Sequence, residues 1–297
     1  MTDKALRREL SEAMEAGQRM LADKDLAAAE AAFRQGLSVC ERSGSQDTGW
    51  QSDIALLQDS LGDVLVAQGD LPAALECYRS SMAGRERLRA ADPSNAERQR
   101  DVSVSLVKIG DVLLHQGQIA EAVVSHRAAL EIAENLALAD PTNVDRQHDL
   151  SILHHKIGDA LSSHDPAPAR DSYHESLASA ERLASADPDN ADFQAALAIG
   201  YERFGDTATQ HGEPAEAIKA FERALAIYEG LAERFSNPAY RAFAVVPLWR
   251  LGLLKGAKGR PELQHALDVL KELDGANRLD PKRKHWIPEI EADLASL

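Results

Sequence analysis

Between Val102 and Ala133 the apolar residues return at helical spacing, break, and return again. Val102, Leu106, Ile109 and Leu113 fall at i, i+4, i+7 and i+11, which predicts the buried stripe of one amphipathic helix. Gln116-Gly117-Gln118 interrupts that pattern. Ile119, Ala122, Val123, His126, Ala129, Leu130 and Ala133 then draw the stripe of a second helix. A break of about three residues folds two such helices back antiparallel, as an αα-hairpin.

The same hairpin recurs along the chain. IGDVLLHQGQIAEAVVSH at 109–126 matches LGDVLVAQGDLPAALECY at 61–78, IGDALSSHDPAPARDSY at 157–173 and FGDTATQHGEPAEAIKAF at 204–221. Weaker copies surround Gly17 and Gly252. The anchors Gly17, Gly62, Gly110, Gly158, Gly205 and Gly252 are spaced 45 to 48 residues apart. Between copies Pro93 and Asn95, Pro141 and Asn143, and Pro188 and Asn190 mark the boundaries. Proline disfavours a helical conformation in the residue before it, and the asparagine two positions later is suited to cap the next helix.

A glycine inside a helix costs about 1 kcal/mol relative to alanine, so six of them at one position call for a packing reason. The alanines Ala29, Ala74, Ala122, Ala169 and Ala217 hold a second small position. Phe33, Tyr78, Tyr173 and Phe221 hold a bulky one, with His126 in the third copy. Small residues facing a ring allow close interdigitation. This set resembles the signature of the tetratricopeptide-repeat family. Ala129 and Ala224 match its next small position, with Gly36, Ser81 and Ser176 as small variants. The period here is longer than the family's usual value near 34, and the surplus is read as about two extra turns on each helix. The large aromatic that the family carries early in its first helix is mostly missing.

The resemblance implies an all-α fold, a right-handed α-solenoid of about six antiparallel helix pairs. The array is expected over residues 1–280, with 281–297 as a C-terminal capping segment whose Trp286 and Ile287 cover the last apolar stripe. It also implies a concave face lined by the first helices and receiving a partner's peptide or helix, and no chemistry of its own. Pro247 is expected to interrupt the first helix of the sixth copy.

Charge narrows the choice of partner. The chain carries 33 Lys+Arg against 48 Asp+Glu, a net −15, which disfavours nucleic acid and anionic membrane surfaces. From Arg241 onward ten Lys+Arg face eight Asp+Glu, leaving −17 on the first 240 residues. The basic run Lys282-Arg283-Lys284 therefore offers a route to head-to-tail self-association. No apolar run reaches the ~18 residues a bilayer span needs, and the N-terminus lacks a secretory h-region, so a cytoplasmic location is expected.

Asp63, Asp111, Asp159 and Asp206 follow the anchor glycine each time. Lys108, Lys156 and Arg203 stand three residues before their aspartates, which makes i,i+3 ion pairs one expectation. The other is an acidic groove selecting a basic segment, lined by Asp59, Asp63, Asp111, His115, His155, Asp159, Glu202 and Asp206, with Trp249 at its end. Such a groove repels the C-terminal carboxylates that the family's best-known clamp receives through asparagine and basic residues. No catalytic triad motif, phosphate loop or metal-ligand spacing is present, and Cys40 and Cys77 frame no disulfide pattern, so no catalytic residue, cofactor or metal is expected. The leading expectation is a protein-binding scaffold. A sensor that changes pitch on binding a peptide or small ligand is the second, and an enzyme is the remote third.

Overall fold

The computed structural model describes residues 2–45 and 47–297, and the described residues are helical almost throughout. The helices are α1 (Asp3–Ala22), α2 (Leu26–Ser43), α3 (Thr48–Gln68), α4 (Leu71–Ala91), α5 (Ala96–His115), α6 (Ile119–Ala139) and α7 (Val144–Leu161). They continue with α8 (Pro166–Ala186), α9 (Ala191–Gln210), α10 (Pro214–Phe235), α11 (Pro238–Lys255), α12 (Arg260–Gly275) and α13 (Trp286–Ser296). Six hairpins carry the six anchor glycines, and most of their helices run 18 to 22 residues.

The boundaries follow from local chemistry. Asn95 and Asn190 cap α5 and α9 through their side-chain oxygens, and Asn143 accepts from Arg146 N at 3.2 Å. Asp25 and Asp70 do the same for α2 and α4. Inside the hairpins Gly69, Gly117 and Gly212 adopt φ of 86°, 75° and 73°, a left-handed turn that closes the first helix without a Cβ penalty.

Two compact units divide the chain, Met1–Arg146 and Gln147–Leu297. In the first, consecutive helices from α1 to α6 pack on one another around Phe33, Trp50, Leu57, Val64 and Tyr78. In the second, α8 to α13 pack consecutively, and Leu263, Leu270, Ile290 and Leu294 form a cluster against which Trp286 and Ile287 lie. Reciprocal hydrogen bonds join α7 to α8, from Ser151 Oγ to the Ser176 carbonyl at 3.2 Å and from Ser176 Oγ to the Ser151 carbonyl at 2.9 Å. Ser81 and Ser103 mark the same crossing in the first unit, donating to the carbonyls of Ala55 and Ala129. Small residues there let the helix backbones approach, and the hydroxyl satisfies a carbonyl at the contact.

The anchor glycine has a steric cause. A Cβ on Gly62, Gly158 or Gly205 would stand 2.5, 2.6 and 2.7 Å from the rings of Tyr78, Tyr173 and Phe221, closer than packed atoms tolerate. Phe33 and His126 press on Gly17 and Gly110 in the same way. In the sixth repeat Leu263 takes the place of the ring.

Two sequence expectations need correction. Lys108 and Arg203 do not pair with the aspartates three residues ahead. Lys108 Nζ reaches Asp63 at 2.6 Å, and Arg203 Nε reaches Asp159 at 3.2 Å, each in the preceding repeat. The cation sits two residues before its own glycine, so stacking presents it to the neighbour's aspartate. Pro247 does not interrupt α11, which runs from Pro238 to Lys255 as one helix. The missing hydrogen bond is outweighed by burial of Ala244, Val245, Leu248 and Leu251 on both sides of the proline.

Candidate functional site

The first helices α3, α5, α7, α9 and α11 carry the sequence-predicted site residues, and the structure treats them unequally. The four glycine-following aspartates are engaged. Asp63 accepts from the Tyr78 hydroxyl at 2.6 Å as well as from Lys108. Asp159 accepts from the Tyr173 hydroxyl at 2.6 Å and lies 3.3 Å from His155 Nε2. Asp206 pairs with Arg250 Nε of the next repeat at 3.0 Å. In the third repeat His126, fully buried, sets Nε2 3.2 Å from Asp111 Oδ1, an approach without hydrogen-bond geometry. The ring that presses on the glycine thus also reaches toward the aspartate beside it. Burial raises the Asp159 pKa, but the His155 hydrogen bond, the Arg203 charge and the Tyr173 hydroxyl outweigh it and hold this carboxyl below the usual range.

Asp59 and Glu202 both stand three residues before their glycine. Asp59 is buried and pairs with Arg85 of α4 at 2.6 Å. Arg85 is held in turn by the Asp101 carbonyl at 2.9 Å and Ser105 Oγ at 3.0 Å. Burial still raises the Asp59 pKa, against the pull of Arg85. Among the described residues Glu202 makes no such ion pair, and its Oε1, like Asp59 Oδ1, is buried without a hydrogen bond. Burial pushes its pKa up to about 8, despite the charges of Arg203, Arg283 and Arg250, with Asp206 adding to the rise.

The remaining site residues are spoken for locally. The exposed His115 ring places Nδ1 2.7 Å from the Asp111 carbonyl, one turn back on α5. Trp249 donates from Nε1 to Asp293 of α13 at 2.6 Å and meets the Trp286 ring edge-on at 6.2 Å. It is half-buried under the C-terminal helix. Arg283, from the basic run, donates to the Ala242 carbonyl at 2.9 Å and lies over the rings of Phe243 and Trp286.

What the acidic pattern hid is an apolar one. Six residues before the anchor glycine stand Leu56, Val104, Ile152, Ile199 and Val246. Leu56 is 43% exposed, Ile152 38% and Ile199 39%, while Val104 and Val246 are half-buried. The helical phase puts this position on the same face as the aspartate seven residues later. On α3, α7 and α9 the exposed face therefore pairs a solvent-facing aliphatic side chain with a carboxylate that already holds a cation of the chain. Alignment of the repeats could have shown this row, since one residue type recurs where a solvated helix face calls for a polar one.

Comparison with known proteins bears on this arrangement. Residues 54–92, which cover most of α3 and all of α4, match the family described as tetratricopeptide repeat. The chain contains a tetratricopeptide repeat. Solved structures share the fold over nearly its whole length. The apo form of RapI superposes with a TM-score of 0.66 at 11% identity, covering 97% of this chain and 100% of that one. The nuclear import adaptor Nro1 of S. pombe gives 0.57 at 14% identity, covering 97% and 99%. BtubC from P. vanneervenii gives 0.55 at 20% identity, covering 94% and 95%. At these identities the likeness concerns the fold. No curated protein matches the sequence significantly. Among the described residues, no helix is long and apolar enough to cross a membrane.

Proposed function

We propose that this tetratricopeptide-repeat protein is a non-catalytic scaffold that holds a segment of another protein on the exposed faces of its first helices. Repeats of this family generally mediate protein–protein interactions, and a nuclear import adaptor is among the similar folds. The observation that carries the reading is the recurrence of Leu56, Ile152 and Ile199, exposed aliphatic side chains at one repeat position. A folded chain gains nothing from leaving such side chains in water at a fixed place, whereas a partner's apolar residues gain from covering them.

Asp63, Asp111, Asp159 and Asp206 flank that row. Because Asp63, Asp159 and Asp206 already hold cations of their own chain, apolar contact supplies the affinity and the carboxylates set orientation. Basic residues in the partner compete for them and tune the association by salt. Glu202, Asp59, His115 and His155 lie along the same helices, and Trp249 marks the end of the face beneath α13.

The test is substitution on that row. Ile152→Asp with Ile199→Asp places two charges where the partner's apolar residues would sit, on side chains exposed enough for the fold to tolerate them. Proteins retained by the unaltered chain at both low and high salt should be lost from the variant, at an unchanged thermal midpoint. Retention of the same proteins in equal amount would refute the reading.

A further inference from the structure

The second helices carry a cavity that the first-helix reading does not use. It opens between α8 and α10 over α9, with a volume of about 670 Å³. Its floor is apolar and aromatic: Leu177 of α8, Tyr201 and Phe204 of α9, and Ala220 of α10. The His174 ring stands edge-on to Phe204 at 4.9 Å and closes one side. The first unit has a pocket at the same repeat position, where Leu37, Glu41 and Gln58 stand for Leu177, Glu181 and Tyr201, but it measures about 320 Å³. The later pocket differs in its floor, where Tyr201 and Phe204 replace Gln58 and Leu61.

The rim carries Glu181, Glu216 and Glu222 against Lys219 and Arg223. Most of these charges are already matched. Lys219 pairs with Glu216 at 2.9 Å, and Glu222 pairs with Lys255 at 3.0 Å. Arg223 lies 5.3 Å over the Tyr201 ring and donates to its hydroxyl oxygen at 3.0 Å. The Tyr201 hydroxyl donates to Glu181 at 2.7 Å. Glu181 is exposed and makes no ion pair among the described residues, and Arg223, the other rim charge without one, is turned onto the Tyr201 ring.

We infer that this cavity is a second protein-binding site, one that receives an aromatic or large aliphatic side chain of a partner segment flanked by a basic residue. The side chain fills the space over Phe204, Tyr201 and Leu177, where aromatic faces and apolar walls meet it. The flanking cation meets Glu181, which the Tyr201 hydroxyl holds in place at the pocket edge. The chain's net charge of −15 draws such a segment toward the surface and repels an acidic one.

The experiment titrates the full chain with acetyl-Lys-Trp-amide, acetyl-Gln-Trp-amide and acetyl-Glu-Trp-amide, following the Leu177 methyl resonances by NMR. The Lys peptide should move them at the lowest concentration and the Glu peptide at the highest. Glu181→Gln should cut the preference of Lys over Gln by about threefold, the size of an exposed charge contact. Ala226→Trp, at an exposed rim position, should block all three peptides while leaving the fold intact. Leu177 resonances that ignore every peptide would overturn the proposal. So would equal response to the Lys and Glu peptides, or unchanged binding by Ala226→Trp.

Discussion

Asp59 in the first unit and Glu202 in the second occupy one position of the repeat and meet opposite fates. The difference lies on the second helix of the hairpin, seven residues after the bulky ring. There Tyr78 is followed by Arg85 and Phe221 by Tyr228. Arg85 comes within 2.6 Å of Asp59 and gives it a buried counter-charge. Tyr228, itself buried, offers none, so Glu202 makes no ion pair among the described residues, although each carboxylate keeps one buried oxygen without a hydrogen bond. The same backbone therefore turns a carboxylate into a structural ion pair in one repeat and into an acid that keeps its proton near neutrality in another. A stack of repeats fixes where a side chain stands, and the neighbour across the hairpin decides its chemistry.

The sharpest way to break the comparison is to remove the counter-charge. Arg85→Leu leaves Asp59 buried without its paired cation and strips a donor from the Asp101 carbonyl and from Ser105. It should destabilise the first unit by about 3 kcal/mol, the scale for breaking a buried pair from one side. Hydrogen exchange in α3 to α5 reads that loss. Adding Asp59→Leu should recover most of it.

The next largest effect is titration at Glu202. Its carboxyl keeps a proton in the folded state up to about pH 8, whereas the unfolded chain releases it near 4.5. Between those values the folded state binds more protons, so stability falls as pH rises, by at most ~1.4 kcal/mol per pH unit. The stability is fully present below pH 4.5 and is lost through pH 8. Glu202→Gln should flatten that fall in the second unit, measured as thermal midpoints from pH 5 to 8.5. A slope equal to that of the unaltered chain would show that Glu202 titrates normally.

The smallest effect belongs to the inter-repeat pairs. Lys108→Met breaks the contact with Asp63, but both side chains are partly in water. The cost should be about 0.5 kcal/mol and should vanish in high salt.

The hairpins, their caps and the glycine–ring contacts were legible in the sequence because their causes are local or recur at fixed spacing. Asn95 and Asn190 cap the helices their Asp-Pro boundaries announce, and Gly62 meets Tyr78 within one hairpin. The ion pairs were misassigned because Lys108 and Asp63 lie 45 residues apart, and helical phase gives a side chain's face without naming its partner. Trp249 showed the same limit, since its cover comes from Asp293 and Trp286 in α13. The contrast between Arg85 and Tyr228 was in the sequence all along. It needed the second helices aligned on their ring as carefully as the first were aligned on their glycine.

The central claim is that the exposed first-helix faces hold the partner. A photo-crosslinking residue placed at Ile199, and in a separate protein at the exposed Leu138 of α6, tests it most directly in cells. The account predicts a discrete crosslinked protein from the Ile199 position that is absent from the Leu138 position and is lost on adding Ile152→Asp. Equal labelling from both positions, or none from Ile199 under conditions where the unaltered chain retains a partner, would contradict it.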